Sequence, residues 1–133
     1  MEVHHKMGKY GETAVEAVNL LNSGRAKSPR DAWDKAAAKI FSESLSISSQ
    51  GKGCPRDAFL GLCEEGLVKG VAPGNYTSSE KNKEYAVKAV QILKNNPTSS
   101  YSQLALWKKV SGGGISHNGQ MDVVLSLWKN GLI

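Results

Sequence analysis

Cysteine is scarce: Cys54 and Cys63 are the only two thiols in 133 residues. Both fall on one predicted helix segment, where they cannot easily meet in a disulfide. Two free thiols fit a reducing, cytoplasmic setting. Long apolar runs are missing too. None approaches the ~20 residues needed to span a bilayer, so no membrane partner is expected. The first residues, MEVHHKMGKYGE, contain no apolar stretch of the kind a secretory signal requires. Met7 offers an alternative start, which would leave the first six residues as a tail. Sustained apolar/polar alternation is absent, which argues against strands. His4, His5 and His117 have no metal-ligand spacing with the cysteines or with a carboxylate cluster, so no zinc and no cofactor are expected. Hydrophobic residues make up 40% and charged residues 22% of the chain, which excludes a disordered protein and fits one globular domain.

What the sequence does have is helix punctuation. Ala14, Ala17, Val18 and Leu21 fall at i, i+3, i+4 and i+7, a stripe ending near Asn22-Ser23-Gly24. Ser28-Pro29-Arg30-Asp31 reads as a helix start, with Trp33, Ala36, Ala37 and Ile40 as the next stripe. Cys54-Pro55-Arg56-Asp57 has the same shape, with Cys54 as cap, and Gly66 is the stop. Thr77-Ser78-Ser79-Glu80 reads as a capping box for a helix to about Asn95, before Pro97. Ser100 or Ser102 opens another through Trp107 to Val110. The last begins near Asn118 and stops at Gly131.

The six predicted helices read as A-B-C twice. DAFLGLCEEGLV, from Asp57, and DVVLSLWKNGLI, from Asp122, share five of twelve positions. TAVEAVNLLN, from Thr13, and YAVKAVQILK, from Tyr85, share five of ten. Trp33 aligns with Trp107. The expected architecture is therefore all-α: two pseudo-repeated three-helix units, 10–68 and 79–133, packed into a single domain. Residues 1–9 form a tail and 69–78 a linker. Each unit alone is too small to bury its apolar faces well. Asp57 and Asp122 are expected to be helix-start acids. Trp33, Trp107 and Cys63 are expected to anchor the core.

Three kinds of function remain open. Residues 1–68 hold nine Lys/Arg and nine Asp/Glu, while residues 69–133 hold eight Lys and three acids. The whole net charge of +5 thus sits in the second half. A nucleic-acid interface would draw on Lys81, Lys83, Lys88, Lys94, Lys108 and Lys109, with Tyr76, Tyr101 and Trp128 available to stack on bases if exposed. The helix-turn-helix likeness of the final phrase is undercut by long B–C loops. A mildly basic, solvated surface is the plainer reading. An anion or small ligand would use the Ser/Gly-rich B–C loop and its counterpart, through Lys52, Gly53, Cys54, Arg56, His117, Asn118 and Gln120. If the loops faced each other, Cys54 and His117 would form a thiol–imidazole pair. P-loop spacing is absent, and an ordinary flexible loop before a helix start explains the same residues. No constellation reads as catalytic. The leading expectation is therefore a non-enzymatic binding or protein-interaction module, with an unknown protein partner or self-association.

GKGCPRDAFLGLCEEGLVKGVAPGNYTSSEKNKEYAVKAV together with HNGQMDVVLSLWKNGLI resembles a family of short bacterial proteins known only as a domain of unknown function. The resemblance runs from about Lys9 onward. It implies a bacterial or mobile-element origin, and it carries over no activity, cofactor or catalytic residue.

Overall fold

A computed structural model describes residues 7–41, 53–112 and 119–133. Among them are six helices and no strand: α1 (Lys9–Asn22), α2 (Pro29–Ile40), α3 (Gly53–Glu64), α4 (Glu80–Asn95), α5 (Gln103–Ser111) and α6 (Gln120–Lys129). The all-α expectation holds.

Local chemistry explains most helix ends. Ser28 caps α2 by accepting from the Asp31 amide at 3.1 Å, with Pro29 in the first turn. Asp31 returns the favour one residue further out, accepting from the Lys27 amide at 3.0 Å. That bond and the neighbouring Lys35 ammonium hold its carboxyl below the usual range. Ser102 caps α5 by accepting from the Ala105 amide at 3.1 Å. The repeated phrases end alike. Gly66 and Gly131 take the left-handed conformation, at φ +73° and +70°. The amide after each reaches back, Leu67 to the Leu62 carbonyl (3.1 Å) and Leu132 to the Leu127 carbonyl (2.9 Å). This is a Schellman end, and both leucines pack against the core.

Two starts differ from the sequence expectation. α3 begins at Gly53, so Cys54 lies within its first turn and is not its cap. Pro55 is still tolerated there, because first-turn amides have no intrahelical acceptor. The capping box at Thr77–Glu80 does not form. Ser79 flanks α4 without a side-chain bond to its backbone. Its hydroxyl instead accepts from Asn82 at 3.0 Å.

The core gathers the stripes read from the sequence: Ala14, Ala17 and Val18; Trp33, Ala36 and Ala37; Leu60, Leu62 and Cys63; Ala86, Ala89, Val90 and Leu93; Leu125 and Leu127. Each buried leucine contributes about 1.5–3 kcal/mol. Trp33 lies 5.5 Å from Phe59 of α3, and Trp107 meets the ring of Tyr85 edge-on at 4.8 Å. Both tryptophans are core anchors, as expected.

The helices do not pack only in their order along the chain. α1 packs on α2 and α6, while α3 packs on α4 and α6. Among the described residues, α3 meets α2 at few points and α1 at fewer. Each phrase helix therefore rests chiefly on the first helix of the other half. Small residues permit both contacts. A Cβ on Gly61 would lie 2.7 Å from the Lys83 Cβ, and one on Gly11 would strike the Ser126 hydroxyl.

The two aspartates serve these same contacts: Asp122 is the first-turn acid of α6 and has a second role, while Asp57 lies beyond the first turn of α3, which corrects its reading as a helix-start acid. Asp122 lies in the first turn of α6, but its carboxylate reaches across to α1. Oδ1 accepts from the Gly8 amide at 2.9 Å and Oδ2 from the Gly11 amide at 2.7 Å. It is the N-terminal cap of a helix more than a hundred residues upstream. Asp57 lies a turn inside α3 and accepts from the Thr77 hydroxyl at 3.1 Å, which in turn accepts from the Ser79 amide at the start of α4.

Candidate functional site

The residues set out for an anion or thiol site are only partly within the structure. Lys52, His117 and Asn118 lie outside the described residues, so the proposed Cys54–His117 pair does too. Gly53 and Cys54 are half-buried in the first turn of α3. Arg56 follows, with Nε 3.7 Å from an Asp57 oxygen and without a hydrogen-bond partner. Gln120 is buried, and its amide donates to Asn82 Oδ1 at 3.1 Å. It ties α6 to the first turn of α4. Cys63 is wholly buried, and burial pushes its thiol far above the ordinary range, so it is inert core.

The lysine set divides. Lys81, Lys88, Lys94, Lys108 and Lys109 are exposed. Lys83 is not available to phosphates: its ammonium sits 2.5 Å from Glu64 and 2.9 Å from Glu65, with the side chain largely buried. Glu80 and Glu84 share α4 with Lys81 and Lys88, so that helix presents mixed charge. Tyr76, Tyr101 and Trp128 are half-buried against the core.

Sequence reading passed over Glu64, which organises the linker. Oε2 pairs with Lys83, while Oε1 accepts from the Tyr76 amide at 2.9 Å and the Thr77 amide at 3.2 Å. The Glu64 carbonyl also takes the Gly74 amide at 3.3 Å. One side chain thus fastens the 69–78 segment to α3 and α4. The Lys83 ammonium, then the two amides, hold the Glu64 carboxyl down at about 2, against 4.5 for an ordinary glutamate. Its contribution to stability is therefore complete above about pH 4.5 and is lost as pH falls towards about 2. Thermal melts of the wild type should decline across that window. Glu64→Gln should start lower at neutral pH and show a flatter decline. An unchanged acid slope would show that other carboxylates set it.

Among the described residues, two grooves stand out on the surface. One, of about 550 Å³, lies where the phrase ends meet, lined by 66–72 and 131–133. The Lys69 amide joins its sides by donating to the Leu132 carbonyl at 2.8 Å. The other, of about 530 Å³, runs along α4 beside Glu65, where α3 ends, lined by Glu65, Glu80, Lys83, Glu84, Val87, Lys88 and Gln91. Neither includes Gly53, Cys54, Arg56 or Gln120. The described residues hold no group of three or more His, Cys, Asp or Glu able to bind a metal. No described helix is long and apolar enough to cross a membrane.

No curated protein and no solved structure matches the chain. A family of unknown function (DUF6979) matches it over residues 7–133, spanning all six helices and both grooves, and the chain belongs to that family.

Proposed function

We propose that this protein is a non-enzymatic binding module that takes a basic, partly apolar segment of another polypeptide in the α3–α4 groove. The charge of that groove carries the reading. Lys83 is already matched by Glu64 and Glu65. Glu80 and Glu84 stand one turn apart, exposed, and neither has an ion-pair partner among the described residues. Like charges at that spacing repel, and a cationic partner would relieve the repulsion. Val87 provides an apolar contact between them and Lys88. The groove is thus locally acidic on a chain of net charge +5.

Fluorescence anisotropy with a labelled Lys/Arg-rich amphipathic peptide tests this, with a Glu-rich counterpart as control. The basic peptide should bind and the acidic one should not. Glu80→Gln with Glu84→Gln should weaken binding by about twofold to thirtyfold, because two exposed ion pairs contribute about 0.2–1 kcal/mol each. Binding that ignores the double variant would refute the groove. Duplex DNA belongs in the same titration, since five exposed lysines support a second reading. DNA binding that survives the double variant and collapses between about 50 and 200 mM salt would favour that reading.

The same proposal treats the chain as an internal duplication. The matching Schellman ends of α3 and α6 support it. So do the close contacts Gly11–Ser126 and Lys83–Gly61: Gly11 and Lys83 are 72 residues apart and Gly61 and Ser126 are 65 apart, the spacings of the two repeated phrases.

A further inference from the structure

α4 starts beside Asp57, near the beginning of α3, and then passes Gly61. The two helices therefore run the same way. The chain leaving α3 at Gly66 must travel back along α3 before α4 can begin. It does so as a strap without regular structure, carrying Pro73 and Gly74 and fastened by Glu64. The main helix-to-helix contacts between the halves, α1 with α6, α3 with α4 and α3 with α6, are joined covalently only through this strap. Among the described residues, α3 meets its own half chiefly where Phe59 touches Trp33. Its larger helix contacts are with α4 and α6 of the other half, and Leu60, Leu62 and Cys63 on it are buried.

We infer that the fold closes in trans as well as in cis: two copies exchange their second halves, with the strap of residues 66–79 as the hinge and a second copy of this chain as the partner. Nothing in the α1–α6 or α3–α4 contacts distinguishes a half supplied by the same chain from one supplied by another. An exchanged dimer keeps every one of them and gives up only the path of the strap. Closure in cis is favoured at low concentration because the tethered half is always at hand. The Glu64 bonds favour it further by holding the strap folded back. Unfolding followed by refolding at high concentration removes both advantages.

The test is refolding of the full chain from denaturant at micromolar and millimolar concentration, read by light scattering after size exclusion. Millimolar refolding should yield a species of twice the 14.3 kDa monomer mass, with unchanged helicity and slow return to monomer after dilution. Deleting residues 71–76 removes about 20 Å of reach and should make the dimer predominant at micromolar concentration. Monomer alone after millimolar refolding overturns the inference, whether or not the shortened chain folds. A dimer that forms without an unfolding step and dissociates at once on dilution also overturns it, because surface association would account for it.

Discussion

Asp122→Ala should destabilise the protein by about 2–4 kcal/mol, lowering the denaturant midpoint without changing the slope of the transition. An ordinary N-cap is a serine or aspartate next to its own helix, and losing one costs about 1 kcal/mol, partly because water replaces it. Water cannot easily do so here. Asp122 is 3% exposed, and the Gly11 amide it serves is buried beneath it. Alanine would leave the Gly8 and Gly11 amides facing a void. It would also forfeit the favourable placement of a negative charge at the positive end of α1. Asp122→Asn separates these effects: one acceptor oxygen remains, but the amide nitrogen opposes an N–H donor, so the loss should be intermediate. Amide hydrogen exchange shows where the loss falls. Gly11 and the first turn of α1 should exchange faster in both variants, while the α3–α4 contact changes only through global stability. If Asp122→Ala leaves Gly11 protected, the cap is not what docks α1.

That cross-chain role marks the boundary of what the residues reveal unaided. Ser28, Ser102, Gly66 and Gly131 act on backbone within a few positions of themselves, so their chemistry is written locally and was legible. The apolar stripes were legible for the same reason, since helical periodicity alone decides which face is buried. Asp57 and Asp122 look like helix-start acids because sequence shows only the helix that each sits on. Their partners at Thr77 and Gly8 become neighbours only through tertiary packing. Lys83 likewise counts as one more surface cation until Glu64 and Glu65 are brought beside it from α3. Thr77 and Glu80 have the capping-box spacing, but the Thr77 hydroxyl accepts from the Ser79 amide and donates to Asp57. The candidate groove was missed because its acids come from two helices, Glu65 on the segment leaving α3 and Glu80 and Glu84 on α4. The signal that was present was the run of unmatched acids on a helix counted as basic.

Gly61→Val should cost about 3 kcal/mol or more, although valine is the better helix former. Glycine in mid-helix is about 1 kcal/mol less favourable than alanine, so on propensity alone a larger residue at position 61 would stabilise α3. Packing reverses the sign. A single added carbon at Gly61 would sit 2.7 Å from the Lys83 Cβ and 2.8 Å from its Cα. The Cα belongs to the α4 backbone and cannot rotate away as a side-chain tip would. Even Gly61→Ala therefore forces the two helices apart, an overpacking cost of about 1–3 kcal/mol. Valine's two further methyls drive them wider and disturb the Lys83 ammonium held by Glu64 and Glu65. Gly24→Ala is the control. It is a glycine just past a helix end, in the left-handed conformation at φ +75°, with nothing within 4 Å of the added carbon. Its cost should come from backbone conformation alone, about 1 kcal/mol. Parallel urea titrations of the three variants rank them: Gly61→Val lowest, Gly61→Ala next, Gly24→Ala nearest wild type. Since the acidic groove is lined by α4 and by Glu65 just past the end of α3, moving the two helices apart with Gly61→Ala should also weaken capture of the basic peptide while leaving Glu80 and Glu84 untouched. A stable Gly61→Val protein would mean that α3 and α4 do not approach as closely as Gly61 allows.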